Sequence, residues 1–223
     1  MARRLDCTAS VEPIERERAV DLAAAAARRH QLVVFPTDTV YAVACDAFSP
    51  VAVERLNAAK GRLGNTALPV MVGSVRAAKA LIRSLPPQAE ALIEGFWPGA
   101  LTAVCNAQAT LRWDLGGDGD TVTLRMPVHP VALQVLQAVG PMVVIAANRV
   151  GELAPLDCDA AKAQLGDDVS LYLDAGPCAA APPSTVVDLT NAPARVLRCG
   201  ALQDELLRTV APDLESAGNG TDD

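Results

Sequence analysis

The sequence predicts a single α/β domain built on a mixed sheet. Apolar runs of strand length alternate with capped stretches of helical character along the chain. No repeat, linker or block of like charge divides the 223 residues, and 51% of them are hydrophobic, enough to bury the core of one domain. We expect the domain to span residues 1–210 and the polar segment 211–223 to be disordered.

Helix starts are marked by prolines and by small polar caps. Pro13 suits the first turn of a helix over 13–29. Ser49 and Pro50 supply the N-cap and first position of a second helix, which stops near Gly61. Further helices are predicted after Ser74, from Pro86 to about residue 97, after Pro130, at 159–165 and at 201–210.

Strands are predicted where short apolar or alternating runs lie between turn residues. The clearest alternation lies within 121–126, where Val122 and Leu124 point one way and Thr123 and Arg125 point the other. A tight turn at 191–193 indicates that the last two strands are antiparallel. The predicted strands are 32–35, 40–44, 68–72, 101–105, 121–126, 142–146, 170–173, 185–189 and 195–197.

Composition excludes several classes of function. A net charge of -7 argues against a general electrostatic grip on nucleic acid or on an anionic membrane, but it leaves room for a local basic site. The six cysteines form no CxxC pair and are accompanied by only two histidines, so we expect reduced thiols and no zinc site. Without a signal-like start or an apolar run near the ~20 residues of a membrane span, we expect a cytoplasmic protein.

Polar residues lie at several predicted strand and helix ends, where ligands often bind. Lys60 and Arg62 flank a glycine at a helix end, and two cations so placed suit a polyphosphate, although cations there also stabilise the helix dipole. The segment 36–41 follows a buried strand, and its alternative interpretation is a capped turn. There is no Walker A motif, dinucleotide fingerprint or serine nucleophile elbow. The residues alone therefore predict an anion-binding α/β protein.

A set of motifs in fixed order gives a more specific interpretation. These are PTDTVY at 36–41, CDAF at 45–48, KGR at 60–62, FWPGALT at 96–102, TLRMPVHP at 123–130, AAN at 146–148, STVVDLT at 184–190 and VLRCG at 196–200. No single motif is decisive, but together, from about residue 32 to 200, they resemble the short form of the YrdC/Sua5 family of L-threonylcarbamoyladenylate synthases.

The resemblance implies a twisted sheet around a concave, locally basic cavity. It also implies a nucleotidyltransferase that makes threonylcarbamoyl-AMP from L-threonine, bicarbonate and ATP for tRNA modification. A downstream threonylcarbamoyl transferase complex is the implied protein partner. Magnesium would be held mainly by the phosphates of ATP and not by a protein metal site.

The resemblance further implies residue roles. Lys60 and Arg62 would act as the catalytic cations. ATP would be bound by Lys60, Arg62, Thr66, Ala146, Asn148 and Arg198. Threonine would be bound by Thr37, Thr39, Thr121, Arg125 and Ser184.

Three departures from the family pattern define the alternatives. Ala146 stands where the family usually has serine, Ala42 where it has glycine, and Thr66-Ala67 where it has Asn-Pro. One lost hydrogen bond to a charged group costs about 1.5–3 kcal/mol, which weakens an enzyme without abolishing it. A degenerate paralogue that binds a nucleotide or RNA, or a carbamoyl-transferring relative with another substrate, therefore remains an alternative to the synthase.

Overall fold

The computed structural model describes residues 2–62, 66–117, 119–179 and 181–217. Strands and helices interleave along them, as the sequence predicts. The strands are β1 (Arg3–Asp6), β2 (Val33–Pro36), β3 (Tyr41–Asp46), β4 (Val70–Met71), β5 (Leu101–Asn106), β6 (Thr121–Arg125), β7 (Met142–Ala146), β8 (Leu171–Asp174), β9 (Thr185–Asp188) and β10 (Arg195–Arg198). The helices are α1 (Pro13–Ala27), α2 (Pro50–Lys60), α3 (Val75–Leu81), α4 (Pro87–Phe96), α5 (Pro130–Val139), α6 (Cys158–Leu165) and α7 (Asp204–Leu207).

The strands of this described part form one mixed sheet in the order β1-β8-β2-β3-β7-β4-β6-β5-β9-β10. The sheet contains both parallel pairs, such as β5 with β9, and antiparallel pairs, such as β3 with β7. The predicted turn at 191–193 does join an antiparallel pair, β9 and β10. The prediction of a single α/β domain with a mixed sheet is confirmed.

The sheet is buried on both faces in its centre. Within β2, Val33 and Phe35 pack in one apolar cluster, while Val34 packs in the other. Helices α1 and α5 cover the first face, and α2, α3, α4 and α6 cover the second. A strand covered on both faces is a continuous apolar run, which is why 32–35 shows no alternation.

Helix ends follow the expected capping chemistry. The Ser49 hydroxyl accepts the N–H of Ala52 at 3.2 Å and caps α2. At the other end Gly61 adopts a left-handed conformation with φ of 65°, which glycine tolerates best, and it turns the chain after Lys60.

The ends of the chain differ from the sequence prediction. Strand β1, which the pattern did not reveal, pairs in parallel with β8. Helix α7 occupies only part of the predicted 201–210. Ala211 and Leu214 are buried, and the Glu215 carbonyl accepts the N–H of Val196 at 2.8 Å. Packed structure thus continues to residue 217, beyond the boundary expected at 210, and 218–223 lie outside the described residues.

No helix in the described ranges combines the length and apolar character needed to cross a bilayer.

Candidate active site

A cavity of about 520 Å³ lies over the middle of the sheet. It is lined by side chains from strands β3 to β7, β9 and β10 and from the turn after β2. The charged residues among its described lining are Arg125 and Arg198. Hydroxyl-bearing residues complete its polar surface: Thr37, Thr39, Thr102, Thr123 and Ser184. Two guanidinium groups without a lining carboxylate favour an anionic ligand.

The turn after β2 is held by one hydroxyl and leaves another for a ligand. Thr37 Oγ1 donates to the Val40 carbonyl at 2.7 Å and accepts the N–H groups of Thr39 and Val40, each at 3.2 Å. Thr39 Oγ1 lies 3.1 Å from Thr37 Oγ1. Because the Thr37 hydroxyl is committed to the backbone, Thr39 is the better placed of the two to contact a substrate.

Arg125 is held by an acidic partner beside the cavity. Its Nη2 is 2.5 Å from Asp38 Oδ2, and its Nε donates to the Gly99 carbonyl at 3.0 Å. Only 5% of the residue is exposed. Burial lowers the pKa of Arg125, while the Asp38 carboxylate acts in the opposite direction. The guanidinium is therefore oriented before any ligand binds.

Ser184 and Arg198 meet at the cavity wall formed by β9 and β10. Arg198 Nη2 donates to the Ser184 carbonyl at 2.8 Å and to its hydroxyl oxygen at 3.2 Å. Strand β9 starts directly after Ser184, and β10 ends at Arg198. The antiparallel pairing of these two strands brings the two residues together.

Lys60 lies directly behind the cavity wall. Its Nζ donates to the Ala146 carbonyl at 2.6 Å and to Asn148 Oδ1 at 3.0 Å, and only 7% of the residue is exposed. Burial, followed by the nearby charge of Arg62, lowers the pKa of Lys60 to about 8. Asn148 is itself held by a hydrogen bond from Nδ2 to the Glu152 carbonyl at 2.7 Å. Ala146 lines the cavity, so its carbonyl links Lys60 to the cavity wall.

Two smaller hollows lie near the main cavity, and the second of them adjoins it. One of about 160 Å³ contains Arg62 and Thr66, and Arg62 Nη2 donates to the Thr66 carbonyl at 2.9 Å. The other, of about 220 Å³, contains Thr121 and shares Ala67 and Thr123 with the main cavity. The three spaces follow one another along the 66–68 segment.

Comparison with known proteins identifies the family. A family model named Sua5/YciO/YrdC, described as telomere recombination, matches residues 25–200. The chain belongs to the Sua5/YciO/YrdC family.

Relatives of this family match most of the chain. A Mycobacterium tuberculosis protein with the provisional name threonylcarbamoyl-AMP synthase is 46% identical over 210 residues, covering 94% of this chain and 95% of that protein. The threonylcarbamoyl-AMP synthase of Pyrococcus abyssi is 32% identical over 196 residues, covering 87% of this chain and 58% of that protein.

Solved structures of the family share the fold. Sua5 of P. abyssi complexed with L-threonine matches with a TM-score of 0.87 and 30% identity over 96% of this chain. Our chain spans 62% of that Sua5 chain. Escherichia coli YciO matches with a TM-score of 0.81, 22% identity and coverage of 93% of this chain and 100% of its own, which supports the fold alone. The predicted YrdC-like fold is confirmed.

The structure groups the residues that the family resemblance pointed to into three places. In the main cavity lie Thr37, Thr39, Arg125, Ala146, Ser184 and Arg198. Lys60 and Asn148 are bonded to each other behind it. The main cavity does not include the other three residues. Arg62 and Thr66 line the hollow of about 160 Å³, and Thr121 lines the hollow of about 220 Å³.

Sequence reasoning missed Asp38 and Thr102. Asp38 lies inside the 36–41 motif. Because a buried arginine needs an acidic partner, this aspartate could have been predicted to pair with Arg125. Thr102 ends the FWPGALT motif, lines the cavity and donates to Ser184 Oγ at 2.8 Å. No local pattern pointed to it.

The described residues contain no group of three or more His, Cys, Asp or Glu side chains that could hold a metal ion.

Proposed function

We propose that this chain catalyses the formation of L-threonylcarbamoyl-AMP and pyrophosphate from L-threonine, bicarbonate and ATP. The product serves N6-threonylcarbamoyladenosine modification of tRNA in the cytoplasm. The observation that carries the proposal is the convergence of Arg125, Arg198 and Ser184 on one cavity, in a fold that matches an L-threonine-bound Sua5.

The threonine end of the site lies at the Arg125 wall. Asp38 orients the Arg125 guanidinium, and the substrate carboxylate accepts hydrogen bonds from its remaining N–H groups. Thr39 and Ser184 supply hydroxyls on either side. Thr37 acts through the turn that it holds. Thr121 contributes from the neighbouring hollow.

The ATP end lies at Lys60, Arg62, residues 66–68 and the Ala146 wall. Lys60, Arg62 and Arg198 provide positive charge, and Asn148 fixes the Lys60 ammonium group. Thr66 lines the hollow that contains Arg62, together with the carboxylates Glu54 and Asp114. The triphosphate extends from the main cavity toward the Arg62 guanidinium. Mg²⁺ is held mainly by the phosphates.

The reaction needs positioning and charge more than a protein nucleophile. The threonine nitrogen forms a bond to the bicarbonate carbon with loss of water, which gives a carbamate. A carbamate oxygen then attacks the α-phosphorus, and the bond to the β-phosphate bridging oxygen breaks as pyrophosphate leaves. Lys60 and Arg62 stabilise the charge that develops on the phosphates.

A downstream threonylcarbamoyl transferase complex consumes the product. The mixed anhydride between carbamate and phosphate is reactive toward water, so transfer to the next enzyme has to be rapid. We therefore expect a transferase to act together with this protein.

The second candidate function is ATP binding without turnover, which Ala146 and Ala42 favour because both replace family residues at the cavity. Pyrophosphate release should be measured with ATP and bicarbonate, with and without L-threonine, and the adenylate identified by mass spectrometry. The synthase requires threonine-dependent release and the mass of threonylcarbamoyl-AMP. ATP binding by calorimetry with no release in either arm would establish the second candidate instead.

A further inference from the structure

Thr102 occupies a central position in the cavity wall. In the β5–β6 register Thr102 lies opposite Arg125, and in the β5–β9 register it lies opposite Val186. The same register places the start of β9, and with it Ser184, next to Thr102. Thr102 is 7% exposed and lines the cavity together with Arg125 and Ser184. One side chain therefore lies between the two proposed carboxylate-binding groups.

The hydrogen bonds at Ser184 fix the direction of its hydroxyl. Thr102 Oγ1 donates to Ser184 Oγ at 2.8 Å, and Arg198 Nη2 donates to the same oxygen at 3.2 Å. A serine hydroxyl has two acceptor lone pairs and one donor hydrogen. Because a guanidinium can only donate, both lone pairs of Ser184 Oγ are occupied by donors. What remains of the hydroxyl is its own O–H.

That remaining O–H has a defined use in the cavity. Ser184 is 7% exposed and lines the space that Arg125 and Arg198 make positive. A hydroxyl restricted to donation favours a ligand acceptor and disfavours a ligand donor, because a donor would face another donor across the contact. Hydrogen bonds in a chain also polarise one another, so the Thr102 bond strengthens the bond that Ser184 makes.

We propose that Thr102 is a positioning residue that sets the Ser184 hydroxyl as a donor to the substrate carboxylate. This inference rests on the proposed synthase function. Thr102 does not contact the reacting atoms. It acts through Ser184, and it thereby contributes to recognition of the amino acid and not to the transfer of the adenylyl group.

The test compares Thr102→Val, Thr102→Ser, Ser184→Ala and the double variant Thr102→Val/Ser184→Ala with the wild type. Valine keeps the shape of threonine without its hydroxyl, and serine keeps the hydroxyl. We expect Thr102→Val to raise the KM for threonine by about tenfold, with kcat and the KM for ATP within about twofold, as loss of one hydrogen bond to a substrate-binding group predicts. Thr102→Ser should stay within about threefold of the wild type. Thr209→Val, at an exposed turn away from the cavity, serves as the matched control.

The double variant separates positioning from a general structural role. If Thr102 acts through Ser184, the double variant is no worse than Ser184→Ala alone. Thr102→Ala gives the same comparison if the valine variant is poorly folded. Additive losses, or a Thr102→Val protein that matches an active wild type, would overturn the inference while the synthase function stands. A wild type without threonine-dependent pyrophosphate release would instead overturn the proposed function, and with it the role of Thr102.

Discussion

Lys60 donates a hydrogen bond to the carbonyl oxygen of Ala146 over 2.6 Å, so the cation proposed to bind ATP is tied to the residue that departs from the family pattern. The second bond, to Asn148 Oδ1 at 3.0 Å, fixes the ammonium group at the end of β7. Burial and the neighbouring Arg62 charge lower the Lys60 pKa to about 8. The Lys60 side chain therefore changes its charge within a pH range that binding experiments can reach.

ATP affinity should depend on pH through Lys60. A bound polyphosphate favours the charged lysine, so the pKa of Lys60 is higher in the complex than in the free protein. Below about pH 8 the lysine is charged in both states and affinity is flat. Above it, binding must take up a proton, so affinity falls by up to about tenfold per pH unit.

Calorimetry from pH 6.5 to 9.5, in buffers of different ionisation enthalpy, measures both the affinity and the proton uptake. Lys60→Met should bind ATP more weakly at every pH and lose the slope. A wild-type affinity that stays flat to pH 9.5 would show that Lys60 does not face the bound phosphates.

Arg62→Ala should reduce ATP-dependent turnover while leaving the fold intact. Arg62 is half-buried, and its Nη2 donates to the Thr66 carbonyl, so little of the core depends on it. We expect a loss of at least about 2 kcal/mol of transition-state stabilisation in kcat/KM. Arg76→Ala, an exposed arginine on α3, is the matched control and should behave as the wild type. An unchanged kcat/KM in soluble Arg62→Ala would remove Arg62 from the phosphate site.

Sequence predicted those parts of the fold that local patterns determine. The Ser49 cap, the Gly61 stop and the alternation in β6 depend on neighbouring residues, and each appears in the structure. Strand β1 was missed because its sequence, RRLD, has no apolar alternation. It is held as a strand by backbone pairing with β8 at the edge of the sheet.

Contacts between distant residues were beyond local patterns. Asp38 and Arg125 are separated by 87 positions, and only the sheet order brings them together. The predicted helix at 201–210 was too long because the Leu202 N–H is bound by Thr185 Oγ1 at 2.9 Å, which ties the chain to β9 before α7 begins. Some residues of the family motifs line the cavity, yet which residues hold others in place, as Thr37 and Asp38 do, follows from hydrogen bonds alone.

Arg125→Ala should raise the threonine requirement more than the ATP requirement, and it should also destabilise the fold. Removing the guanidinium leaves Asp38 enclosed without its partner, which costs about 3–5 kcal/mol. Urea unfolding measures the stability, and separate titrations of threonine and ATP measure the two KM values.

The double variant Asp38→Ala/Arg125→Ala distinguishes the two effects. It should regain part of the stability, because no unpaired charge remains, but none of the threonine affinity. If the KM for ATP rises as much as that for threonine, Arg125 does not belong to the threonine end of the site.

Ala146→Ser should strengthen the site for ATP. Ala146 lies opposite Ala42 in the β3–β7 register, and both line the cavity. Its carbonyl is already held by Lys60, so a side-chain change leaves that contact in place. The cavity of about 520 Å³ accommodates one added oxygen without crowding. A new hydroxyl beside a bound nucleotide should contribute about 0.5–3 kcal/mol, depending on whether its partner is neutral or charged.

The measurements are ATP affinity, the rate of threonylcarbamoyl-AMP formation and the melting temperature. We expect tighter binding or faster formation with little change in melting temperature, because the backbone and the apolar packing behind Ala146 are unaltered. Ala154→Ser also adds a hydroxyl to the cavity lining but lies outside the AAN motif at 146–148, so it should give no comparable gain. Weaker ATP binding by a well-folded Ala146→Ser protein would mean that the pocket has been rebuilt around alanine for another ligand. The paralogue interpretation would then replace the synthase.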